Sequence, residues 1–299
     1  MHFGIYSPFK YQDIQMRFNV IGAGRLGQNL ALCLMHYGHE LVAITNHSRL
    51  SALLVIKALG TGDAVAGLID LPAVDLTIIT TPDDNIANIA TELARSVSIL
   101  PGSIVMHCSG VHSSDILQPL LDKGCLIASI HPLKAFTADD IHFDALQGCS
   151  CVLEGEPGAL PILTTLFTEM GASIIPISAL KKSVYHAAAV MASNYVITMA
   201  GCAAALFMEA GLPAIQAKKI TQDLMQNSLD NLHNASHVAD ALTGPLARGD
   251  VNTIYKHLNA IKSPDINALY RTAALATLPL TQLDNDVLMA IKEQLHNHD

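Results

Sequence analysis

Charge is what this sequence of 299 residues has least of: Asp, Glu, Lys and Arg make up 14% of it, against the roughly 25% usual for soluble proteins. Basic residues are the scarcer kind, 17 against 26 acidic ones, for a net charge of −9. No basic stripe offsets the deficit, which argues against nucleic acid as a partner, since phosphate binding needs a positive field. Cysteine is thinly spread, at positions 33, 108, 125, 149, 151 and 202, without C-x-x-C pairs or the density of a secreted disulfide scaffold. The thiols read as reduced and mostly buried in a cytoplasmic protein. The opening MHFGIYSPFKYQDIQ has neither the positive n-region nor the apolar h-region of a signal peptide. No repeat of 20 to 50 residues is present, and no G-x-S-x-G, P-loop or H-E-x-x-H supports a hydrolase, NTPase or metalloprotease.

What is abundant is apolar surface. With 51% apolar residues, the length suits about two domains, each with its own core. So little charge implies surface buried twice, once in the fold and once against another subunit, and a homo-oligomer is expected. Val184 to Met208 lacks Asp, Glu, Lys and Arg over a length that could cross a bilayer. His186, Ser193, Asn194, Tyr195 and Thr198 would all be costly in lipid, so the segment reads as one buried helix of a soluble protein, with no membrane partner.

The patterning predicts an α/β protein: a Rossmann-type parallel sheet domain over residues 17–178, then an all-α substrate and dimerisation domain over residues 179–299. Residues 1–16 are expected to be an extension without fixed structure, with Met1 and Met16 both open as the natural start. Strands are predicted at Phe18–Ile21, Glu40–Thr45, Leu76–Thr80, Ile104–His107, Leu126–Ile130, Cys149–Leu153 and Ser173–Pro176. Helices are expected over Gly22–Tyr37, Ser51–Leu59, Asp84–Val97 and Leu160–Met170. After Ile177 the strand signal stops, and Gly211-Leu212-Pro213 and Thr243-Gly244-Pro245 punctuate a helical remainder.

Gly22-Ala23-Gly24-Arg25-Leu26-Gly27 is G-x-G-x-x-G between a predicted strand and a predicted helix. The first glycine permits the tight turn, the second the approach of a pyrophosphate, the third close packing of helix on strand. After the second strand, Asn46-His47-Ser48-Arg49 offers no carboxylate to repel a ribose 2′-phosphate. Asn46, Ser48 and Arg49 can donate to one, which favours NADP(H) over NAD. Thr81, Pro82 and Asp83 follow the next strand at the ligand-binding edge. Ser109 and His131 end two further strands on that edge, where Ser109 can hold a substrate oxygen and His131 can move a proton. His107, inside its strand, reads as structural. Lys182, His186, Ser193 and Asn194 form a polar stripe on the long apolar helix, which asks for partners. His233 and His237, four apart on a helix, lack a third ligand, so no metal site is assigned.

FNVIGAGRLGQNLA, TTPDDNI, HCSG, HPLKAF, YHAAAVMASNY and ALTGPLARGD, in that order, resemble a bacterial family of uncharacterised function. That family joins an N-terminal Rossmann-like NADP-binding domain to a C-terminal helical domain. More distantly the chain is similar to the 6-phosphogluconate dehydrogenase-like superfamily: prephenate dehydrogenases, pyrroline-5-carboxylate reductases, β-hydroxyacid dehydrogenases and ketopantoate reductases. The resemblance implies a dimer with its active site between the domains. The prephenate dehydrogenase pattern would put Ser109, His131 and His186 around the substrate, without the arginine a dicarboxylate needs. The β-hydroxyacid dehydrogenase pattern would give Lys182 an acid–base role, with the Asn farther along. The expected function is an NADP(H)-dependent oxidoreductase that moves a hydride to or from a small carbonyl, alcohol or imine in the interdomain cleft. There His186 or His131 would exchange the proton, and Ser109 and Asn194 would orient the reacting group. The alternative is a non-catalytic NADP(H)-binding, redox-sensing dimer.

Overall fold

The computed structural model describes residues 15–136 and 141–296. The expectation for the extension thus falls outside the described residues up to residue 14. Two compact units divide between Ala189 and Val190.

The first unit is built on eight strands: β1 (Arg17–Ile21), β2 (Glu40–Thr45), β3 (Asp63–Ala64), β4 (Leu76–Ile79), β5 (Ile104–His107), β6 (Leu126–Pro132), β7 (Ser150–Gly155) and β8 (Ser173–Pro176). They lie in the order β3-β2-β1-β4-β5-β6-β7-β8. All neighbours pair in parallel except β6 and β7, so the last two strands run against the first six. The expected parallel sheet is therefore parallel-dominated.

Helices α1 (Arg25–His36), α2 (Arg49–Leu59), α3 (Ile86–Leu93), α4 (Gln118–Leu121) and α5 (Leu160–Glu169) cover the sheet. Strand residues alternate between the faces, as a period of two requires. Phe18, Val20, Ile78 and Met106 pack with Leu30 and Leu34 of α1, Val55 of α2 and Phe167 of α5. Ile21, Ile79 and Val105 pack with Ile86 and Leu93 of α3 and Leu120 of α4. Each large apolar side chain so buried contributes about 1.5–3 kcal/mol. The sheet is thus covered on both faces.

The unit also includes α6 (Lys182–Ala192) as far as Ala189. The compact unit runs past Ser178, where the strand signal stops, because Lys182, Tyr185 and His186 of α6 bond or stack with residues of the sheet.

The second unit contains α7 (Asn194–Glu209), α8 (Ala214–Asn234), α9 (Pro245–Arg248), α10 (Val251–Ala260), α11 (Pro264–Thr277) and α12 (Asn285–His296). Ile254, Leu258, Ala274, Leu278, Ile291 and Leu295 form its core. Two expectations need correction here. The single helix over Val184–Met208 is broken at Ser193, whose backbone (φ −125°, ψ −72°) is not helical, so Lys182, His186, Ser193 and Asn194 do not share one helix. Nor is it buried: α7 has no buried residue, and Tyr195, Ile197 and Met199 are exposed. Ala179–Glu209 is long and apolar enough to cross a membrane by length and composition. His233 closes α8, whereas His237 lies beyond the end of that helix, so the two are not a turn apart on one face.

Candidate active site

The glycine loop follows β1 directly. Gly22 has φ +86°, a conformation that a side chain would strain, and its N–H donates to Thr45 O at 2.8 Å. A Cβ there would lie 2.6 Å from Thr81 Cγ2 and 2.9 Å from Thr81 N. A Cβ on Gly27 would lie 2.5 Å from Thr80 Oγ1. Both positions are held by packing. Gly24 differs: a Cβ there meets nothing within 4 Å, because it faces open space at the N-terminus of α1.

That space belongs to a cavity of about 580 Å³ lined by Gly22, Ala23, Gly24, Asn46, Thr81 and Pro82. His47, Ser51, Asn88 and Glu92, which sequence reasoning passed over, also line it. Thr81 Oγ1 is buried without a hydrogen-bond partner, a debt that a ligand oxygen would settle. Ser48 caps α2, its hydroxyl accepting from Ser51 N–H at 3.2 Å. Arg49 is exposed in the first turn of that helix. Asn46 Nδ2 donates to Ser51 Oγ at 2.8 Å. Arg25 reaches away to donate to Phe136 O at 3.4 Å. Leu26, Gly27 and Asp83 flank the cavity wall in sequence without lining it.

The second cluster sits where β5 and β6 end. His107 is fully buried and satisfied, as expected of a structural histidine: Nδ1 accepts from Ser109 N–H at 3.1 Å, and Nε2 bonds Ser113 O at 3.0 Å. Burial pushes its pKa down to about 4. Ser109 Oγ accepts from Val111 and His112 N–H at 3.3 and 3.1 Å, which fixes the turn through Gly110.

Lys182 is almost wholly buried. Its ammonium donates to Ser109 O at 2.8 Å and to Ser129 Oγ, and lies 3.8 Å from Glu154 Oε1. Glu154 in turn accepts from Ser114 N–H and Oγ, both at 2.8 Å. Burial pushes the Lys182 pKa down to about 8, with Glu154 opposing that shift. Two of its donors are hydrogen-bonded and Glu154 stands at ion-pair distance, so Lys182 ties α6 to the strand ends. Glu154 was legible as a lone carboxylate in an otherwise apolar strand, CVLEG.

One turn along α6, Tyr185 Oη lies 2.7 Å from His131 Nδ1, and the His131 and His186 rings sit edge to face with centroids 5.8 Å apart. A Cβ on Gly110 would lie 2.8 Å from His131 Cε1 and would also strike His186, so the two rings converge over that glycine. Burial, then the charges of Lys182 and His186, push the His131 pKa down to about 4. The Asp83 carboxylate raises the pKa of His131, His107 and Lys182, opposing the downward shift of each, and so lies near this cluster. Ser109, His131, Lys182 and His186 are thus brought together within the first unit, whereas Asn194 opens α7 in the second, accepting from Ser193 Oγ at 2.9 Å. Among the described residues no group of three or more His, Cys, Asp or Glu could hold a metal ion.

The chain is similar to several solved structures. The protein TM1727 of Thermotoga maritima is 26% identical over 89% of this chain and 98% of its own, with a TM-score of 0.69. BF3122 of Bacteroides fragilis, assigned by its name to the NADP oxidoreductases, is 19% identical over 89% and 98%, with a TM-score of 0.72. The 1-pyrroline-5-carboxylate reductase of Streptococcus pyogenes is 20% identical over 94% and 97%, with a TM-score of 0.56. The last two likenesses are of fold. No curated protein matches the sequence. Residues 7–132 match the Rossmann-like domain and residues 149–277 match the domain of unknown function DUF2520, so the chain joins a Rossmann-like domain to a DUF2520 domain.

Proposed function

We propose that this protein is an oxidoreductase that binds NADP(H) in the glycine-loop cavity and acts on a small carbonyl, alcohol or imine beside His131 and His186. One observation carries the reading. Ile21, Ile79, His107 and Ser129 align across four adjacent parallel strands, so the glycine loop, the Thr81–Asp83 loop, the Ser109 turn and His131 all rise from one carboxyl edge. Ligands of open α/β sheets bind at that edge. The open space at Gly24 and the unpaired Thr81 Oγ1 suit a pyrophosphate at the start of α1. Asn46, Ser51 and His47, with Arg49 in the first turn of α2, supply donors and no carboxylate where a 2′-phosphate would lie. The fold shared with the B. fragilis and S. pyogenes proteins agrees with the reading.

When bound, the dihydronicotinamide supplies a hydride to the substrate carbon. His186 gives the proton that the reduced substrate oxygen or nitrogen takes up, and takes it back in the oxidative direction. The Ser109 hydroxyl, whose oxygen already serves two N–H groups, keeps its proton free to donate to the substrate.

In this reading the helical unit pairs with a second copy, which would cover the exposed Tyr195, Ile197 and Met199 of α7, and the six free thiols suit the cytoplasm. Light scattering should give a dimer at micromolar concentration in the soluble fraction; a monomer, or recovery with membranes, overturns this part. The function itself is tested by thermal-shift titration with NADPH, NADP, NADH and NAD, since a ligand bound only by the native state raises Tm. Selective stabilisation by NADPH or NADP is expected, followed by substrate-dependent NADPH oxidation across carbonyls and imines. No shift with any of the four overturns the proposal.

A further inference from the structure

The two histidines differ in what holds them. His131 Nδ1 is engaged by Tyr185 at 2.7 Å, with the rings nearly perpendicular at 79°. Of the two ways to place a proton in that contact, chemistry favours one. A phenol is the better donor and an imidazole nitrogen the better acceptor. Burial pushes the Tyr185 pKa up to about 12, which keeps the phenol protonated. Its O–H therefore donates to Nδ1, and the imidazole proton resides on Nε2. Becoming an imidazolium is opposed by burial and by the charge of Lys182, held in place by Ser109 O, Ser129 Oγ and Glu154. His186 faces the same ring, and among the described residues Asp83 is the group that favours the cation.

We propose that Tyr185 is a positioning residue that fixes His131 as the neutral Nε2–H tautomer, so that His131 donates a hydrogen bond to the substrate and leaves proton exchange to His186. The inference rests on the oxidoreductase reading and sharpens it. A fixed donor over Gly110 calls for an acceptor, which selects a carbonyl oxygen from the substrate classes above. A protonated imine would set its N–H against the His131 N–H. Lys182, Tyr185 and His186, at i, i+3 and i+4 on α6, lie on one helix face. The face that anchors the helix therefore also sets the tautomer.

The test begins on the full-length protein without substrate. Long-range 1H–15N correlation spectra of 15N-histidine-labelled protein at pH 7, with His131 assigned through His131→Gln, should show a neutral ring protonated at Nε2. Protonation at Nδ1, or an imidazolium, overturns the inference, and this readout stands even where a Tyr185 variant fails to fold. Tyr185→Phe should release the ring to a tautomer mixture. With a carbonyl substrate in hand it should lower kcat roughly two- to fivefold, in proportion to the rings that leave the Nε2–H state, while the NADPH thermal shift stays unchanged. An unchanged tautomer and unchanged kcat in Tyr185→Phe overturn the inference. An Nε2–H tautomer in a protein that binds no dinucleotide refutes the function and leaves the tautomer standing; Nδ1–H in a protein that binds NADPH does the reverse.

Discussion

Gly22→Ala and Gly24→Ala form a matched pair, because one added methyl meets packed protein and the other meets open space. At Gly22 the φ of +86° costs an L-residue about 1–2 kcal/mol. The methyl would press to 2.6 Å from Thr81 Cγ2 and 2.9 Å from Thr81 N, an overlap worth roughly 1–3 kcal/mol. A total of about 3 kcal/mol at roughly 2–4 °C per kcal/mol lowers Tm by about 6–12 °C. Gly24 sits at φ −71°, ψ −159°, open to any residue, with no atom within 4 Å of an added Cβ, so Gly24→Ala should lower Tm by no more than about 4 °C, the cost of alanine for glycine at a helix N-cap. Its effect falls on the ligand. At a hundredfold excess over Kd, NADPH stabilises the wild type by about 2.7 kcal/mol. A hundredfold weaker Kd leaves about 0.4 kcal/mol at the same concentration, which nearly abolishes the shift. Differential scanning fluorimetry of the three proteins, with and without NADPH, reads both quantities. A full NADPH shift in Gly24→Ala, or a wild-type Tm in Gly22→Ala, would refute the assignment of packing to one glycine and ligand space to the other.

Asn46→Asp and Arg49→Asp should each weaken NADPH at least tenfold relative to NADH, read as Kd by fluorescence titration, because each sets a carboxylate where a 2′-phosphate would lie; an unchanged ratio in both removes the case for NADP(H). His107 is fully buried and its pKa is lowered to about 4, while the unfolded chain protonates near 6.5. Its contribution is complete above pH 6.5 and is lost as pH falls towards 4, about 3 kcal/mol in all, so urea midpoints of wild type and His107→Gln should converge across that window. Parallel profiles would show that His107 does not titrate in this way. Lys182→Met strands the Glu154 carboxylate and should cost about 3–5 kcal/mol, much of it recovered in Lys182→Met/Glu154→Gln; additive losses in thermal denaturation would count against the buried pair. With a substrate identified, His186→Ala should abolish turnover while the NADPH shift persists, and equal loss of both would move His186 from chemistry to structure.

The elements that the sequence revealed are those whose signal is local. The runs ELVAIT, IVMH and SIIP became β2, β5 and β8 with the expected bounds, because β-branched and apolar residues buried on a sheet leave a pattern readable in a short window. The glycine loop was legible for the same reason: its spacing is itself the turn. Ser109 and His131 could be placed at the ligand edge because each ends a strand. The helix over Val184–Met208 reads as continuous from its composition, yet Ser193 breaks it.

Tertiary structure decided whatever depends on residues far apart in the chain. The direction of β7 against β6 follows from how the intervening chain returns, which no window of residues encodes. Tyr185 was just an aromatic beside a histidine until β6 brought His131, 54 positions away, within a hydrogen bond of it. Lys182 resembled a catalytic lysine until Ser109 and Ser129 accepted its hydrogen bonds and Glu154 stood beside its charge. Short-range preference sets where strands, helices and turns form, whereas the role of a polar side chain is set by the partner that satisfies it, and in a packed core that partner is chosen by the fold.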